Sequence, residues 1–144
     1  KLLHILSIGE ERNWGIVMKG FPRDSLVNWT IKDFGPLYIP EKGGRIWMTP
    51  VNGVLYRNAI EWEQKKKLVQ RGDIFLLNDS IIQEYQFKED YYFVAGDKVM
   101  NSKDSRYWGL LPEKFIVGKA TLIWKSVDLN TDEIRWNRVF KRIE

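Results

Sequence analysis

Residues 96–118 read GDKVMNSKDSRYWGLLPEKFIVG and place a polar loop between two apolar stretches of the chain. The polar side chains of this loop are those of Asp97, Asn101, Ser102, Asp104, Ser105 and Arg106. Hydroxyl, amide and carboxylate groups of this kind can hydrogen-bond backbone groups that a loop would otherwise bury without partners. Arg106 can form a forked ion pair with Asp97 or with Asp104 and so join the two ends of the loop. From composition alone, the segment is either an internally bonded connection or a site where a rigid scaffold presents functional groups.

The segments around this loop predict a mainly β protein. Residues 91–95 (YYFVA) and 117–127 (VGKATLIWKSV) have the aromatic and β-branched composition of strands. Further upstream, the turn-forming sequences RGD and NDS separate three more apolar runs, so hairpins are expected there. Those three runs are residues 68–70, 74–77 and 81–87, and shorter strands are predicted at residues 2–8, 15–19 and 45–48. Residues 134–143 mix apolar and basic side chains and give no clear element.

One amphipathic helix is predicted at about residues 49–65. Thr49 is a good N-cap, and Pro50 suits the first helical position because its missing N–H would be unpaired there anyway. Apolar residues then recur at helical spacing through about Gln64 and form one face. The run Lys65-Lys66-Lys67 complements the negative end of the helix dipole, and we interpret it as a solvated helix end rather than a phosphate-binding patch.

Composition excludes several classes of site. The 144 residues contain no cysteine, which excludes disulfide scaffolds, cysteine-ligated metals and thiol catalysis. The single histidine, His4, lies within an apolar run, and we expect it to be packed rather than catalytic. The net charge of +4 is a mild basic bias, so nucleic acid is not an expected partner, and no metal or cofactor is expected. The length fits one domain, residues 1–144, and no run approaches the roughly 20 apolar residues that span a bilayer.

The loop carries a resemblance to bacterial type I signal peptidases, peptidase family S26. The matching residues are GD at 96–97, NSKDSRYWG at 101–109, Pro112 and GKA at 118–120, in the family's order and spacing. The segment FGPLYIPEKG at residues 34–43 is similar to the linking segment of the long, Bacteroidetes-type members. The family's fold implies a β-sheet or barrel core with hairpins. On this basis residues 1–90 are expected to be an accessory β region with the helix, and residues 91–144 the C-terminal part of the peptidase core.

The resemblance implies a membrane-anchored serine endopeptidase that removes signal peptides from exported preproteins on the periplasmic face of the cytoplasmic membrane. The family uses a Ser nucleophile and a Lys general base, whose pKa must be depressed by its surroundings. If the roles of the family's motif residues apply here, Ser102 would hydrogen-bond and orient the Lys amine. Gly96, which has no Cβ, would let the backbone approach the same amine. Asp97 and Arg106 would form a supporting ion pair, with Asp104 beside it.

Two departures from the family pattern affect the expected activity. Lys98 stands where the family usually has Asn, and no Ser-Met-x-Pro-like nucleophile motif or Lys motif is present. Because the chain opens at Lys1 without Met, we interpret it as the C-terminal part of a longer peptidase whose anchor and dyad precede it, inactive alone. One alternative is a noncatalytic relative that binds peptides or partners through an aromatic sheet edge. Another, weaker alternative is a basic β-barrel that stacks single-stranded nucleic acid on aromatic side chains.

Overall fold

The computed structural model describes residues 2–5, 19–31, 33–97 and 102–143, with residues 2–5 described for the backbone alone. The protein is mainly β, as the sequence predicts. The strands are β1 (Leu2–Ile5), β2 (Phe34–Tyr38), β3 (Arg45–Trp47), β4 (Leu68–Arg71), β5 (Ile74–Leu77), β6 (Ser80–Ile82), β7 (Glu84–Gln86), β8 (Tyr91–Tyr92) and β9 (Leu111–Pro112). One long helix, α1 (Pro50–Gln64), and one short helix, α2 (Ser105–Trp108), interrupt them. No helix among the described residues is long and apolar enough to cross a membrane.

The strands form small antiparallel sheets. β1 pairs with β2, β3 with β7, and β8 with β9, while β4, β5 and β6 form a three-stranded meander. The turn between β5 and β6 is tight because Asn78 and Asp79 both adopt positive φ, at 54° and 61°. The two hairpins predicted from the RGD and NDS sequences are therefore confirmed.

Helix α1 begins as predicted. The Thr49 side chain accepts a hydrogen bond from the Asn52 N–H at 3.1 Å, and Pro50 occupies the first helical turn. The helix ends at Gln64, and Lys65 adopts a left-handed conformation with φ of 55°. Lys65, Lys66 and Lys67 are all exposed, in agreement with a solvated helix end.

The buried core joins the helix to the sheets and to the segment before β2. Its members share near-complete burial and come from residues 21 to 91; they are Phe21, Val27, Phe34, Leu37, Ile46, Leu55, Tyr56, Ala59, Ile60, Leu68, Phe75, Tyr85, Phe87 and Tyr91. Gly53 lets the helix approach the meander, since a Cβ there would lie 2.8 Å from Cζ of Phe75. The Tyr56 hydroxyl donates to the Tyr38 carbonyl at 2.8 Å.

Three strand predictions need correction. The predicted strand at 81–87 is two strands, because the chain turns at Gln83 and Glu84–Gln86 leaves the meander to pair with β3. The strand at 91–95 is shorter and covers only Tyr91–Tyr92. The prediction of a long strand at residues 117–127 is wrong. This part runs beside residues 134–143 and makes only isolated bridges, Leu122 with Arg142 and Val127 with Ile134.

Residues 121–143 therefore form two irregular extended segments that run side by side, and we call them the C-terminal arm. Its two limbs are joined by backbone hydrogen bonds, such as Phe140 N–H to the Ile123 carbonyl at 2.7 Å. The arm packs Trp124 edge-on against Phe140, yet both rings are mostly exposed. Within the predicted strand at residues 15–19 only Lys19 is described, and the His4 side chain lies outside the described part of the chain.

Candidate functional site

The described part of the polar loop, residues 96–97 and 102–109, is organised by Asp104. Asp104 is the N-cap of α2, with φ of −120° and ψ of −164°, and its Oδ1 accepts from the Arg106 N–H at 3.1 Å. The other oxygen, Oδ2, accepts from the Gly96 N–H at 2.9 Å. One carboxylate thus ties the start of the loop to the helix that ends it.

Arg106 completes this link as a forked ion pair. Its Nε donates to Asp104 Oδ1 at 2.8 Å, its second guanidinium nitrogen donates to Oδ2, and the same nitrogen reaches the Gly96 carbonyl at 3.3 Å. The two side chains are 2% and 8% exposed, so the pair is buried. We call Asp104, Arg106 and Gly96 the loop clamp.

The clamp shifts the ionisation of both charged groups. The Arg106 guanidinium holds the pKa of Asp104 well below its usual range, and the Gly96 N–H and the Ser102 hydroxyl also stabilise the carboxylate. The pKa of Arg106 is raised by its hydrogen bonds to Asp104. Both groups therefore remain charged across the neutral range, and the site is electrically balanced.

The predicted partner of Arg106 is wrong. The residues alone allowed either Asp97 or Asp104 as the partner of Arg106, and the family resemblance favoured Asp97. In the structure the forked ion pair is formed with Asp104. The physical reason is local, because the N-cap conformation already turns the Asp104 carboxylate toward the first turn of α2, where Arg106 lies. Asp97 is exposed. Arg106 itself is buried, and Lys98 and Asn101 lie outside the described residues.

Gly96 and Ser102 are in close contact. A Cβ at position 96 would lie 3.0 Å from the Ser102 Cβ and closer still to its hydroxyl oxygen, so any larger residue would displace this serine. Ser102 is partly buried, and its hydroxyl helps to lower the pKa of Asp104. The structure therefore brings together Gly96, Ser102, Asp104 and Arg106 of the five supporting residues predicted from the sequence.

Ser105 has a structural role of the kind that the sequence allowed for the polar side chains of this loop. It is fully buried, its N–H donates to the Val94 carbonyl at 3.0 Å, and its hydroxyl accepts from the Val94 N–H at 3.0 Å. These two hydrogen bonds tie Ser105 to the backbone of Val94, beyond the end of β8, and the burial of Ser105 keeps its hydroxyl away from solvent.

Phe21 anchors the loop from a distant part of the chain. Its N–H donates to the Arg106 carbonyl at 2.7 Å, and its ring lies against Gly109, where a Cβ would be 2.7–3.0 Å from the ring carbons. Gly109 also has φ of 91°, which favours glycine. Phe21, Trp62, Trp108 and Phe115 line an open apolar pocket between α1 and the loop. No local signal reveals this anchor, because some 85 residues separate its partners.

No group of His, Cys, Asp and Glu that could hold a metal ion occurs in the parts of the chain that the structure describes. The described site presents one partly buried hydroxyl, one glycine backbone and one neutralised ion pair, which are groups that can position a partner.

Comparisons with known proteins identify a family whose model covers this loop, and several relatives. The family model "Signal peptidase, peptidase S26" matches residues 43–125, more than half of the chain. The chain is 46% identical to signal peptidase I of Haemophilus influenzae over 65 residues, which are 42% of this chain and 19% of that protein. It is 26% identical over 155 residues to signal peptidase I of Pseudomonas aeruginosa, covering 85% of this chain and 52% of that protein.

A similar relation holds with signal peptidase I of Helicobacter pylori, at 26% identity over 157 residues, covering 91% of this chain and 54% of that protein. At its most extended, the similarity thus spans about half the length of these relatives. No solved structure matches.

Proposed function

Because this chain belongs to the signal peptidase family, peptidase S26, we propose that it forms the C-terminal, extracytoplasmic part of a signal peptidase I. That enzyme is a serine endopeptidase that removes signal peptides from exported preproteins at the periplasmic face of the cytoplasmic membrane, where a transmembrane segment preceding this part anchors it. The observation that carries the proposal is the loop clamp. In this clamp Gly96 and Arg106 of the family motif both bind the Asp104 carboxylate, within the region that the family model matches.

In this proposal the clamp supports a general-base lysine supplied by the longer enzyme. A lysine acts as a base near neutral pH only where burial or neighbouring groups lower its pKa, so the surroundings must offer hydrogen bonds without net negative charge. The loop clamp meets that requirement because Arg106 neutralises Asp104. The Ser102 hydroxyl orients the lysine amine by a hydrogen bond, and Gly96, which has no Cβ, leaves room for the amine to approach the backbone.

The chain by itself is proposed to be inactive. Its sequence has no Ser-Met-x-Pro-like segment, and Ser105 of the loop is bonded into the backbone pairing of Val94. We propose that another part of the longer enzyme packs against the C-terminal arm, because Trp124 and Trp136 of the arm are 73% and 74% exposed. Apolar surface of this extent is typical of a face that another polypeptide segment covers.

We also propose a single domain in two regions, in which residues 1–90 are an accessory β region of the long, Bacteroidetes-like type and residues 91–144 belong to the peptidase core. The continuous hydrophobic core supports one folding unit, because Phe21, Leu55 and Tyr91 share it. The clamp carbonyl of Arg106 accepts from Phe21, which further joins the two regions.

Peptidase assays test the proposed function. Three proteins are each incubated in detergent with a preprotein that carries an Ala-x-Ala site. They are this chain, the signal peptidase I of Pseudomonas aeruginosa, and an extended polypeptide that also contains the residues encoded upstream of Lys1. We expect cleavage by the Pseudomonas enzyme and by the extended polypeptide, and none by the chain alone. Cleavage by the chain alone would contradict the missing dyad. An extended polypeptide that binds the preprotein without cleaving it would instead support a noncatalytic relative.

A further inference from the structure

The outer face of the β4–β5–β6 meander departs from the usual pattern of a surface sheet. Its inner face is buried, with Leu68 and Phe75 at 2% and 1% exposure. An antiparallel sheet that covers a core normally presents polar residues on its other side. Here the other side carries Val69, Ile74, Leu76 and Ile81, which we call the meander outer face.

The residues of the meander outer face form one continuous patch. Val69 lies directly opposite Leu76 in the register of β4 and β5, and Leu76 lies directly opposite Ile81 in that of β5 and β6. Val69, Ile74 and Ile81 are 44%, 50% and 65% exposed. Branched apolar side chains aligned across three strands expose a contiguous hydrophobic surface, which single surface residues do not.

Basic side chains border this patch on the same face. Lys66, Lys67 and Arg71 line a shallow depression together with Val69 and Leu76. Asp79 and Asn78 also line it, so three cations stand against one carboxylate. Lys67 is additionally paired with Glu61 at 3.2 Å but keeps 87% of its side chain exposed. With Glu61 counted, three cations stand against two carboxylates, so the rim keeps a net positive charge carried by Lys66 and Arg71, whereas the centre of the patch is apolar.

We propose that the meander outer face docks on the anionic surface of a lipid bilayer, an inference that rests on the proposed membrane location of the enzyme. Apolar side chains enter the boundary between headgroups and acyl chains, while lysine and arginine approach the lipid phosphates. The charge pattern selects this occupant. Two copies of the chain meeting by this face would bring two positive rims together, which opposes self-association. The lysine run that ends α1 thus acquires a role beyond that of a solvated helix end.

The absence of cysteine allows a position-specific test. Ile81→Cys is labelled with an environment-sensitive NBD fluorophore and mixed with vesicles of phosphatidylcholine containing about 30% phosphatidylglycerol, or of phosphatidylcholine alone. The matched control is Glu41→Cys, an exposed position between β2 and β3. We expect a blue shift and a severalfold rise in emission for label 81 on anionic vesicles only, with quenching by brominated lipid, and no change for label 41.

Charge variants test the rim. Lys66→Ser with Arg71→Ser is expected to lower partition onto anionic vesicles by about tenfold or more, because each cation near the surface contributes to the attraction. The control is Lys119→Ser with Lys125→Ser, which removes the same charge from exposed positions elsewhere. Equal losses in both pairs, equal binding to neutral vesicles, or a shift of label 81 that rises with protein concentration without lipid would each overturn the proposal.

The same variants separate this proposal from the proposed function. Lys66→Ser with Arg71→Ser in the extended polypeptide is expected to cleave preprotein in detergent at the unaltered rate, since the meander outer face is separate from the loop clamp. Loss of vesicle binding with intact cleavage would thus support the docking face. Intact vesicle binding by an extended polypeptide that cannot cleave would leave the docking result standing and contradict only the peptidase.

Discussion

Asp104 shows how much a single residue contributes to this fold. Its carboxylate caps α2, holds Gly96 and pairs with Arg106, so three separate backbone or side-chain groups depend on it. Burial makes the pair sensitive to the loss of one partner, because the remaining charge has no compensation and cannot regain water. An ion pair in solvent has no such dependence.

Replacing Arg106 with alanine is therefore expected to be strongly destabilising. Removing one partner of a buried pair costs about 3–5 kcal/mol, against about 0–1 kcal/mol for an exposed one. The melting temperature of Arg106→Ala is expected to fall by more than about 5 °C in a thermal scan followed by circular dichroism. The matched control is Arg45→Ala, since Arg45 and Glu84 form an exposed pair at 2.8 Å. Equal melting of the two variants would place the clamp in solvent.

Ser102 and Ser105 differ in what their hydroxyl groups do. In the extended enzyme, Ser102→Ala is expected to keep its melting temperature within about 1–2 °C and to lose about 10–10³-fold in kcat, because a misaimed base loses rate steeply. Ser105→Ala is expected to lower stability, since the Val94 N–H loses the acceptor that the buried Ser105 side chain provides. The neutral control is Ser80→Ala at an exposed position. A kcat for Ser102→Ala equal to that of Ser80→Ala would remove Ser102 from the site.

At the scale of elements, α1 and the meander are positioned by one glycine. Ala is the better helix former by about 1 kcal/mol, but a Cβ at Gly53 would press on the buried Phe75 ring. Overpacking of this kind costs about 1–3 kcal/mol, so Gly53→Ala is expected to be net destabilising by up to about 2 kcal/mol in urea unfolding. In a Phe75→Leu background the same change is expected to be less harmful or stabilising. Asn58→Ala, at an exposed position of α1, is the control and is expected to be slightly stabilising, because Ala is the better helix former and meets no buried ring there.

The elements that could be predicted are those whose signals are local. The cap at Thr49 and the turn residues Asn78 and Asp79 act within four residues of themselves, so α1 and the β5–β6 hairpin were predictable from sequence. Glu84–Gln86 pairs with Arg45–Trp47 some forty residues earlier, and no local pattern encodes that choice. Residues 117–127 have strand composition, but a strand also needs a neighbour along its length, which the arm supplies only at isolated bridges.

The same distinction holds in the candidate site. That the polar side chains of the loop bond to one another and to its backbone was predictable, because the motif is contiguous and polar between apolar stretches. The choice of Asp104 over Asp97 was not, since it depends on the extended conformation of one N-cap residue. The anchor at Phe21 depends on tertiary contact and has no sequence signal near the loop.

At the scale of the whole molecule, Glu63 at the end of α1 connects the helix to the strands that lead to the loop. Its carboxylate accepts from the hydroxyls of Tyr85 at 2.6 Å and Tyr91 at 2.9 Å, and from the N–H groups of Lys88 and Glu89. Burial raises the pKa of both tyrosines, and their hydrogen bonds to Glu63 raise it further. Burial likewise raises the pKa of Tyr56 in the core. These hydroxyls therefore resist ionisation at a pH where an exposed tyrosine would lose its proton.

The free energy of unfolding is therefore expected to fall in alkali. A tyrosine whose pKa is raised in the folded state stabilises that state fully below the unfolded pKa of about 10, and this contribution is lost as the pH rises above it. Absorbance at 295 nm is expected to show an early step from accessible tyrosines and a later, cooperative step that coincides with loss of circular dichroism. Tyr85→Phe removes one ionisable group and is expected to flatten the loss of stability above pH 10, whereas Tyr92→Phe, at an exposed position, changes it less. Complete ionisation of all six tyrosines before unfolding would show that water reaches the hydroxyl groups that join α1 to β7 and β8.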